Sequence, residues 1–159
     1  MIKLWMAPAG LHIEPGDKGD AAELARIHAQ GFFRGWPADE FESFLDEPMT
    51  PVYLACDARR RIAGFALIRI AADEVELLTI AVDRRWRGKG VGAALLRAAF
   101  EDLLLSPARR MFLEVEDGNT AAIRLYEGQG FGRIGVRKGY YRKADGSAAT
   151  ALVMSRDLG

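Results

Sequence analysis

Several features that assign a chain to a special class are scarce or missing here. Cysteine occurs once, as Cys56 in an apolar run, so no internal disulfide can form and we expect a buried, unreactive thiol. Histidine occurs twice, and His12 and His28 lack the spacing of metal ligands, so no metal is expected. Neither charge is in excess, because 22 basic residues balance 22 acidic ones, and this argues against a nucleic-acid partner.

Long apolar runs are also missing, since no stretch approaches the roughly 20 residues that span a bilayer. Residues 1–10 are too short and too interrupted for a secretory signal. We therefore expect no membrane association and a cytoplasmic location.

The composition that remains is typical of one globular domain. The chain has 159 residues, of which 50% are hydrophobic and 28% are charged. At this length a single hydrophobic core is the ordinary arrangement. We predict one domain over residues 1–159, with residues 1–10 as a loosely ordered extension, in a monomer or weak dimer.

Apolar periodicity predicts a mixed architecture. Helical spacing occurs in four segments: Asp20–Gln30, Pro37–Leu45, Gly90–Leu105 and Thr120–Glu127. Strand patterns occur in the edge strand Leu11–Glu14 and in Val52–Cys56, Ile62–Ala71, Val75–Val82, Met111–Val115, Phe131–Val136 and Ala149–Ser155. Short connections make the sheet mainly antiparallel, with one parallel pair joined through the third helix. This predicts an α/β (α+β) fold of about seven strands flanked by about four helices, with Asp20 and Asn119 as N-caps and Gly128 ending the last helix.

A glycine-rich turn follows the strand that ends at Val82 and opens the third helix: Arg87-Gly88-Lys89-Gly90-Val91-Gly92. Glycines allow the main chain to approach an anion closely, and the first N–H groups of a helix have no partners within it. The helix dipole adds positive charge, as do four cations: Arg84, Arg85, Arg87 and Lys89. The pattern predicts a pyrophosphate site.

Two other interpretations of this turn remain open. It could be a glycine-rich loop on a cationic surface without a ligand. It also approximates the dinucleotide-binding fingerprint through Gly88, Gly90 and Ala93, with Glu114 about 20 residues further on. Against a dinucleotide fold, the turn comes in the middle of the chain and only one crossover unit is predicted.

The turn and the segments after it resemble a known family. Arg87-x-x-Gly90-x-Gly92 resembles the signature of the GNAT acetyltransferases, which bind acetyl-CoA at this strand–loop–helix junction. Further segments resemble the RimI type within that family: Leu113-Glu114-Val115, Asn119, Leu125-Tyr126-Glu127, Gly130-Phe131 and Arg137-Lys138-Gly139-Tyr140-Tyr141. Departures from the RimI pattern at Glu116, at 33–37 and at 149–150 lie toward the acceptor side.

The resemblance implies an enzyme and a reaction. Acetyl-CoA would be the co-substrate, and the acetyl group would pass directly to a primary amine, the N-terminal α-amine of a peptide or protein. The usual target of RimI-type enzymes is a small-subunit ribosomal protein, so a ribosomal protein is the expected partner. A small-molecule amine or a lysine side chain as acceptor is compatible with the same fold, as is a non-catalytic CoA-binding regulator.

The same match implies the roles of the site residues. Glu114 would accept the amine proton, directly or through water, and Tyr126 would protonate the departing thiolate. From the residues alone, Glu114 is also compatible with an exposed acid at a strand end, and Tyr126 with a core residue. The expected cofactor-binding residues are Ile80, Ala81, Val82, Arg87, Gly88, Lys89, Gly90, Val91, Gly92, Ala93 and Asn119. The expected walls of the peptide groove are Trp36, Tyr140 and Tyr141.

Overall fold

The computed structural model describes residues 4–32, 34–142 and 145–159, without the side chains of 140–142. The helices are α1 (Ala21–Ala29), α2 (Ala38–Leu45), α3 (Val91–Leu103) and α4 (Thr120–Gly128). The strands are β1 (Trp5–Met6), β2 (His12–Pro15), β3 (Val52–Cys56), β4 (Ile62–Ala71), β5 (Glu74–Val82), β6 (Arg110–Glu116), β7 (Gly132–Arg142) and β8 (Ala148–Asp157). None of the helices in the described part is long and apolar enough to cross a membrane.

The eight strands form one sheet in the order β1-β2-β3-β4-β5-β6-β8-β7. Neighbouring strands are antiparallel except β5 and β6, which are parallel and are connected through α3. The predicted mixed, mostly antiparallel fold is therefore confirmed. The sheet has one strand more than expected, because Trp5 and Met6 pair with Ile13 and His12. β2 consequently lies inside the sheet, and the prediction that it forms an edge was wrong.

The start of α1 differs from the sequence prediction. The side chain of Asp20 makes no capping hydrogen bond to the helix. Instead, Asp17 caps a 3₁₀ turn over Lys18–Asp20 that leads into α1, and it accepts from the N–H of Gly19 at 2.9 Å. Asp20 is engaged by Arg60, whose Nη1 donates to Oδ1 at 2.8 Å. The acidic residue before the helix thus connects it to the β3–β4 turn.

The N-terminal end of α4 agrees with the sequence prediction. Asn119 is the N-cap, since its Oδ1 accepts from the N–H of Ala122 at 3.2 Å. Gly128, by contrast, is part of the helix, and the left-handed residue is Gly130, with a φ of 90°. The helix therefore extends one residue beyond the predicted Glu127, and Gly130 rather than Gly128 supplies the left-handed conformation that follows a helix end.

Two apolar layers cover the sheet, one on each face. α3 and α4 cover the first face, where Leu95 and Ile123 belong to the same buried cluster as Leu113. α1 and α2 cover part of the second face, where Phe41 packs in a cluster with residues of β3 and β4. Cys56 is fully buried in that layer, and burial raises the pKa of its thiol to about 12, as expected for an unreactive cysteine.

β5 and β6 begin as a parallel pair and then separate. Residues 74–76 pair with 110–112, and no later residue of β5 pairs with β6, although both strands are described throughout. On its other side β5 stays paired with β4 as far as Val82, with Leu78 as an extra residue in a bulge. The result is a gap in the sheet, along which the main-chain groups of β5 have no strand partner.

The register determines which face each residue beside the gap occupies. Side chains alternate along a strand, so Leu113 and Val115, which pack in the α3 layer, place Glu114 on the opposite face. That face is the one that α1 and α2 occupy, but their hydrophobic cluster includes no described residue of β6, β7 or β8. Glu114 therefore lies beside the gap on an open part of the sheet.

Gly64 lies opposite Val82 and leaves no room for a side chain. A Cβ at Gly64 would be 2.9 Å from the carbonyl oxygen of Ala81, closer than such atoms approach. We expect Gly64→Ala to push β4 and β5 apart and to lower the free energy of unfolding by about 1–3 kcal/mol, measured by urea denaturation. Gly132→Ala is the control, since nothing lies within 4 Å of a Cβ there. Equal losses in the two variants would contradict the steric explanation.

Candidate active site

The turn between β5 and α3 presents main-chain donors. Gly88 and Gly90 have φ angles of 75° and 80°, in the left-handed region that favours glycine. Gly90 is the N-cap of α3 and carries no side-chain cap, and the first helical hydrogen bond runs from the N–H of Ala94 to its carbonyl at 3.1 Å. The N–H groups of residues 91–93 precede that bond and have no acceptor within the helix. Such a donor set is suited to a phosphate.

Positive charge surrounds this turn. Four side chains around it are exposed: Arg84, Arg85, Arg87 and Lys89. Arg87 Nε donates to the carbonyl of Val82 at 3.0 Å, which holds the guanidinium beside the end of β5. The N–H of Arg84 donates to Gln30 Oε1 at 2.9 Å, so the turn is also tied to the end of α1.

A buried carboxylate fixes the start of the turn. Asp83 is 1% exposed, and it accepts from the N–H of Arg85 at 3.0 Å and from Arg26 Nη2 at 2.8 Å. Burial by itself would raise the pKa of Asp83, but these hydrogen bonds outweigh it and lower the pKa to about 2. The sequence interpretation missed this residue. Its place directly before a short helical turn, where aspartate is a preferred cap, was the available signal.

Gly92 is the point where the turn, β5 and α4 meet. A Cβ at this position would lie 3.1 Å from Leu125 Cδ2 and 4.0 Å from Ile80 Cδ1. The missing side chain therefore lets α3 approach α4 closely, in addition to any role in anion binding. Tyr126 is the next residue along α4, so this phenol and the turn belong to one packed unit.

Tyr126 lies in the layer formed by α3 and α4. Its side chain is 7% exposed, and its ring meets Phe131 edge-on with the centroids 5.9 Å apart. Burial raises the pKa of the hydroxyl, so the phenol stays protonated at neutral pH. The hydroxyl makes no hydrogen bond with a described residue and is not sealed from solvent. A protonated donor with no partner among the described residues is thus available on this side of the sheet.

Glu114 lies on the other side of the sheet, where its side chain is 21% exposed. Its Oε1 accepts from Arg137 Nη1 at 2.5 Å. The gap between β5 and β6 joins the two faces, with Glu114 on the β6 side and Ile80, which neighbours α4, on the β5 side. A molecule that passes through the gap could therefore be reached by a carboxylate from one face and a phenol from the other.

Trp36 is placed on the β5 side of the gap by a buried histidine. The main-chain N–H of Trp36 donates to His28 Nδ1 at 3.1 Å, and the two rings stack with centroids 4.8 Å apart. Burial lowers the pKa of His28 to about 4, so the ring is neutral, and its Nε2 donates to Thr79 Oγ1 at 3.1 Å. His28 is thus a structural residue, as expected, and it fixes the α1–α2 connection to β5.

The other residues expected on the acceptor side are described only in part. The backbones of Tyr140 and Tyr141 lie in β7. Their side chains fall outside the described part of the chain. The prediction that these side chains wall the peptide groove therefore concerns residues outside that part and stays a prediction.

Comparison with known proteins agrees with this arrangement. The model of the acetyltransferase (GNAT) family matches residues 21–131. The chain belongs to the GNAT family. It is 37% identical over 150 residues to N-alpha-acetyltransferase RimI of Mycobacterium tuberculosis, with 89% of each chain covered. It is 38% identical over 120 residues to the ribosomal protein bS18-alanine N-acetyltransferase of Salmonella typhimurium, which covers 76% of this chain and 80% of the relative. The crystal structure of the ribosomal-protein-S18-alanine N-acetyltransferase from Escherichia coli superposes with a TM-score of 0.86 at 28% identity, with 94% of each chain covered.

Membership of the GNAT family decides between the interpretations of the turn. The chain is an N-acetyltransferase of the RimI type, and acetyl-CoA is its co-substrate. The dinucleotide interpretation is excluded, since the sheet contains one parallel pair, of only three residues on each strand. The free N–H groups, the exposed cations and the gap are suited to a pyrophosphate that continues into an extended arm.

We expect Asp83→Asn to weaken the anchor of the turn. Folding lowers the pKa of Asp83 from about 3.9 to about 2, so the carboxylate stabilises the folded state at higher pH. That stabilisation is lost as the pH falls through this window. In urea denaturation, the free energy of unfolding of the wild-type enzyme should therefore fall more steeply between about pH 4 and 2 than that of the variant. The KM for acetyl-CoA should rise in the variant, and parallel pH profiles would contradict the role of Asp83.

Proposed function

We propose that this enzyme acetylates the N-terminal α-amine of a protein, and that the protein is ribosomal. The observation that carries the proposal is the 37% identity, over 89% of the chain, to a RimI Nα-acetyltransferase. The Salmonella relative is named for an alanine of ribosomal protein bS18, so an N-terminal alanine is the first acceptor to test. The open part of the sheet beside Glu114 supports the proposal, because the extended end of a peptide could lie there next to the gap.

The proton chemistry also favours an α-amine. Only a neutral amine attacks a thioester, and an α-amino group has a pKa of about 7.7–8.0 whereas a lysine side chain has a pKa of about 10.4. Near neutral pH a far larger fraction of the α-amine is therefore neutral or easily made so. A carboxylate within hydrogen-bond reach, directly or through one water, suffices as the base for such an acceptor.

In the proposed reaction Glu114 and Tyr126 handle protons on opposite faces of the sheet. The amine approaches from the face of Glu114 and attacks the carbonyl carbon of the thioester, so that a C–N bond forms and the C–S bond breaks. Glu114 takes the proton that the nitrogen loses, directly or through water. Tyr126 gives its proton to the CoA thiolate, and because burial raises the pKa of Tyr126, the phenol still carries that proton when the C–S bond breaks.

The acetyl-CoA would lie along the gap. Along residues 80–82 the edge of β5 that faces the gap has no strand partner. Apart from the Val82 carbonyl, which accepts from Arg87 Nε, the main-chain groups on that edge can bond the pantetheine arm as an added strand would. The pyrophosphate would lie against the N–H groups of 91–93, with Arg87 and Lys89 supplying charge and Gly88 and Gly90 supplying the shape of the turn. Asn119 would touch the cofactor while it caps α4.

The acceptor is tested by mass spectrometry of amines incubated with the enzyme and acetyl-CoA. We expect a peptide that begins with alanine to gain one acetyl group at its α-amine, because that amine is the most readily deprotonated. The matched control is the same peptide with a blocked N-terminus and an internal lysine, which should stay unmodified. Acetylation of the lysine peptide, of polyamines or of free amino acids without acetylation of the α-amine would favour the alternative acceptors.

The role of Tyr126 is tested with Tyr126→Phe, which keeps the ring and removes the proton. We expect kcat to fall about 100-fold, because the thiolate must leave without an acid, whereas the KM for acetyl-CoA should change little. Thermal unfolding of the variant checks that the contact with Phe131 is kept. Turnover at the wild-type rate would show that Tyr126 is only a core residue.

A further inference from the structure

A salt bridge joins Glu114 to the outermost strand of the sheet. Arg137 Nη1 on β7 donates to Glu114 Oε1 at 2.5 Å, and the two side chains are 54% and 21% exposed. Exposed ion pairs contribute little to folding, typically about 0–1 kcal/mol. The consequence of this pair therefore lies less in stability than in where it holds the carboxylate.

The register explains how a side chain of β7 reaches β6 across β8. Glu116 and Arg137 both lie opposite Ala151, which places these three residues on one face of the sheet. Glu114 is on the same face, one row away, opposite Val153. Ala151 is fully buried, as expected where a longer side chain crosses it, and its small side chain leaves the guanidinium a direct path to Glu114.

The contact engages the two carboxylate oxygens of Glu114 unequally. Oε1 accepts the hydrogen bond from Arg137, whereas Oε2 has no hydrogen-bond partner among the residues that the structure describes. A glutamate side chain has three rotatable bonds, and without a fixed contact it would exchange between several rotamers. The charge-assisted bond at Oε1 fixes the plane of the carboxylate and thereby the direction of Oε2.

We propose that Arg137 is a positioning residue, which holds the Glu114 carboxylate by Oε1 so that Oε2 receives the proton of the acceptor amine. This inference rests on the proposed role of Glu114 as the base. In the transfer step the proton lost by the nitrogen goes to Oε2, directly or through water, while the guanidinium stays charged and bonded to Oε1. Arg137 contacts neither reactant in this step and acts through Glu114.

The place of Arg137 on β7 gives the acceptor a way to influence the base. Pairing between β7 and β8 becomes irregular between Arg137 and Tyr141, at the start of the hairpin expected to face the acceptor. A peptide that lies against this hairpin contacts the strand that orients the carboxylate.

The test is a double-mutant cycle with Arg137→Met and Glu114→Gln, measured as kcat and KM for both substrates. We expect Arg137→Met to lower kcat about 10- to 100-fold, as misplacement of a reacting group does, with the KM for acetyl-CoA unchanged. Arg137→Lys, which restores the charge, should recover part of the loss. In the Glu114→Gln background Arg137→Met should cost little more. Arg133→Met is the control, since Arg133 lies on the same strand but opposite Met154, which faces the other layer.

Other outcomes would overturn the inference. If the losses of kcat in the two single variants add fully in the double variant, Arg137 acts independently of Glu114. If Arg133→Met loses as much kcat as Arg137→Met, the effect comes from surface charge and not from the contact with Glu114. If Glu114→Gln turns over too slowly to measure, the unchanged KM for acetyl-CoA and the rescue by Arg137→Lys decide, and the absence of either contradicts the role. The cycle uses the best amine of the acceptor panel, so failure of every peptide would refute the proposed acceptor without touching this test. Wild-type activity in Glu114→Gln would refute the base and with it this inference.

Discussion

The separation of β5 from β6 after three residue pairs is the constraint on which the site depends. A sheet that stayed paired would satisfy its main-chain groups internally and would keep its two faces apart. Because the strands separate, the edge of β5 keeps main-chain donors and acceptors that no strand uses. The gap also connects the two faces of the sheet. The buried carboxylate of Asp83, bonded to the half-exposed Arg26, then fixes the direction in which the chain leaves β5.

The two sides of the gap are held by different means. On the β5 side, His28 is bonded at both ring nitrogens, and the aromatic residues of the α1–α2 connection stack around it. On the β6 side, the strands β6, β8 and β7 carry the charged residues Glu114 and Arg137 on a surface that no helix covers. An apolar wall thus faces a polar one, which fits the proposed entry of a peptide end from solvent. Glu116, which departs from the RimI pattern, belongs to the polar wall.

Local patterns in the sequence were enough for most of the fold. β3 and β4 were predicted with their observed bounds, since both are apolar runs that end at polar turns. The glycine and arginine pattern likewise predicted the turn before α3, where Gly88 and Gly90 adopt positive φ, because its glycines and charges are contiguous along the chain. Contacts between distant residues could not be predicted in this way. Arg26 and Asp83 are 57 positions apart and Arg137 and Glu114 are 23 apart, and their meeting depends on sheet order and register, which periodicity does not determine. β1 was missed for a related reason, because two residues are too few to show an alternating pattern.

The absent side chain at Gly92 links two parts of the enzyme that would otherwise vary separately. The helix that carries Tyr126 rests against the first turn of α3 through Leu125, so closely that a Cβ at position 92 would lie 3.1 Å from Leu125 Cδ2 and the leucine would have to shift. The proposed phosphate turn and the proposed acid Tyr126 are therefore spaced by the same contact. In relatives with a larger residue at position 92, we expect a smaller residue at position 125. The residues at these two positions should therefore covary within the family.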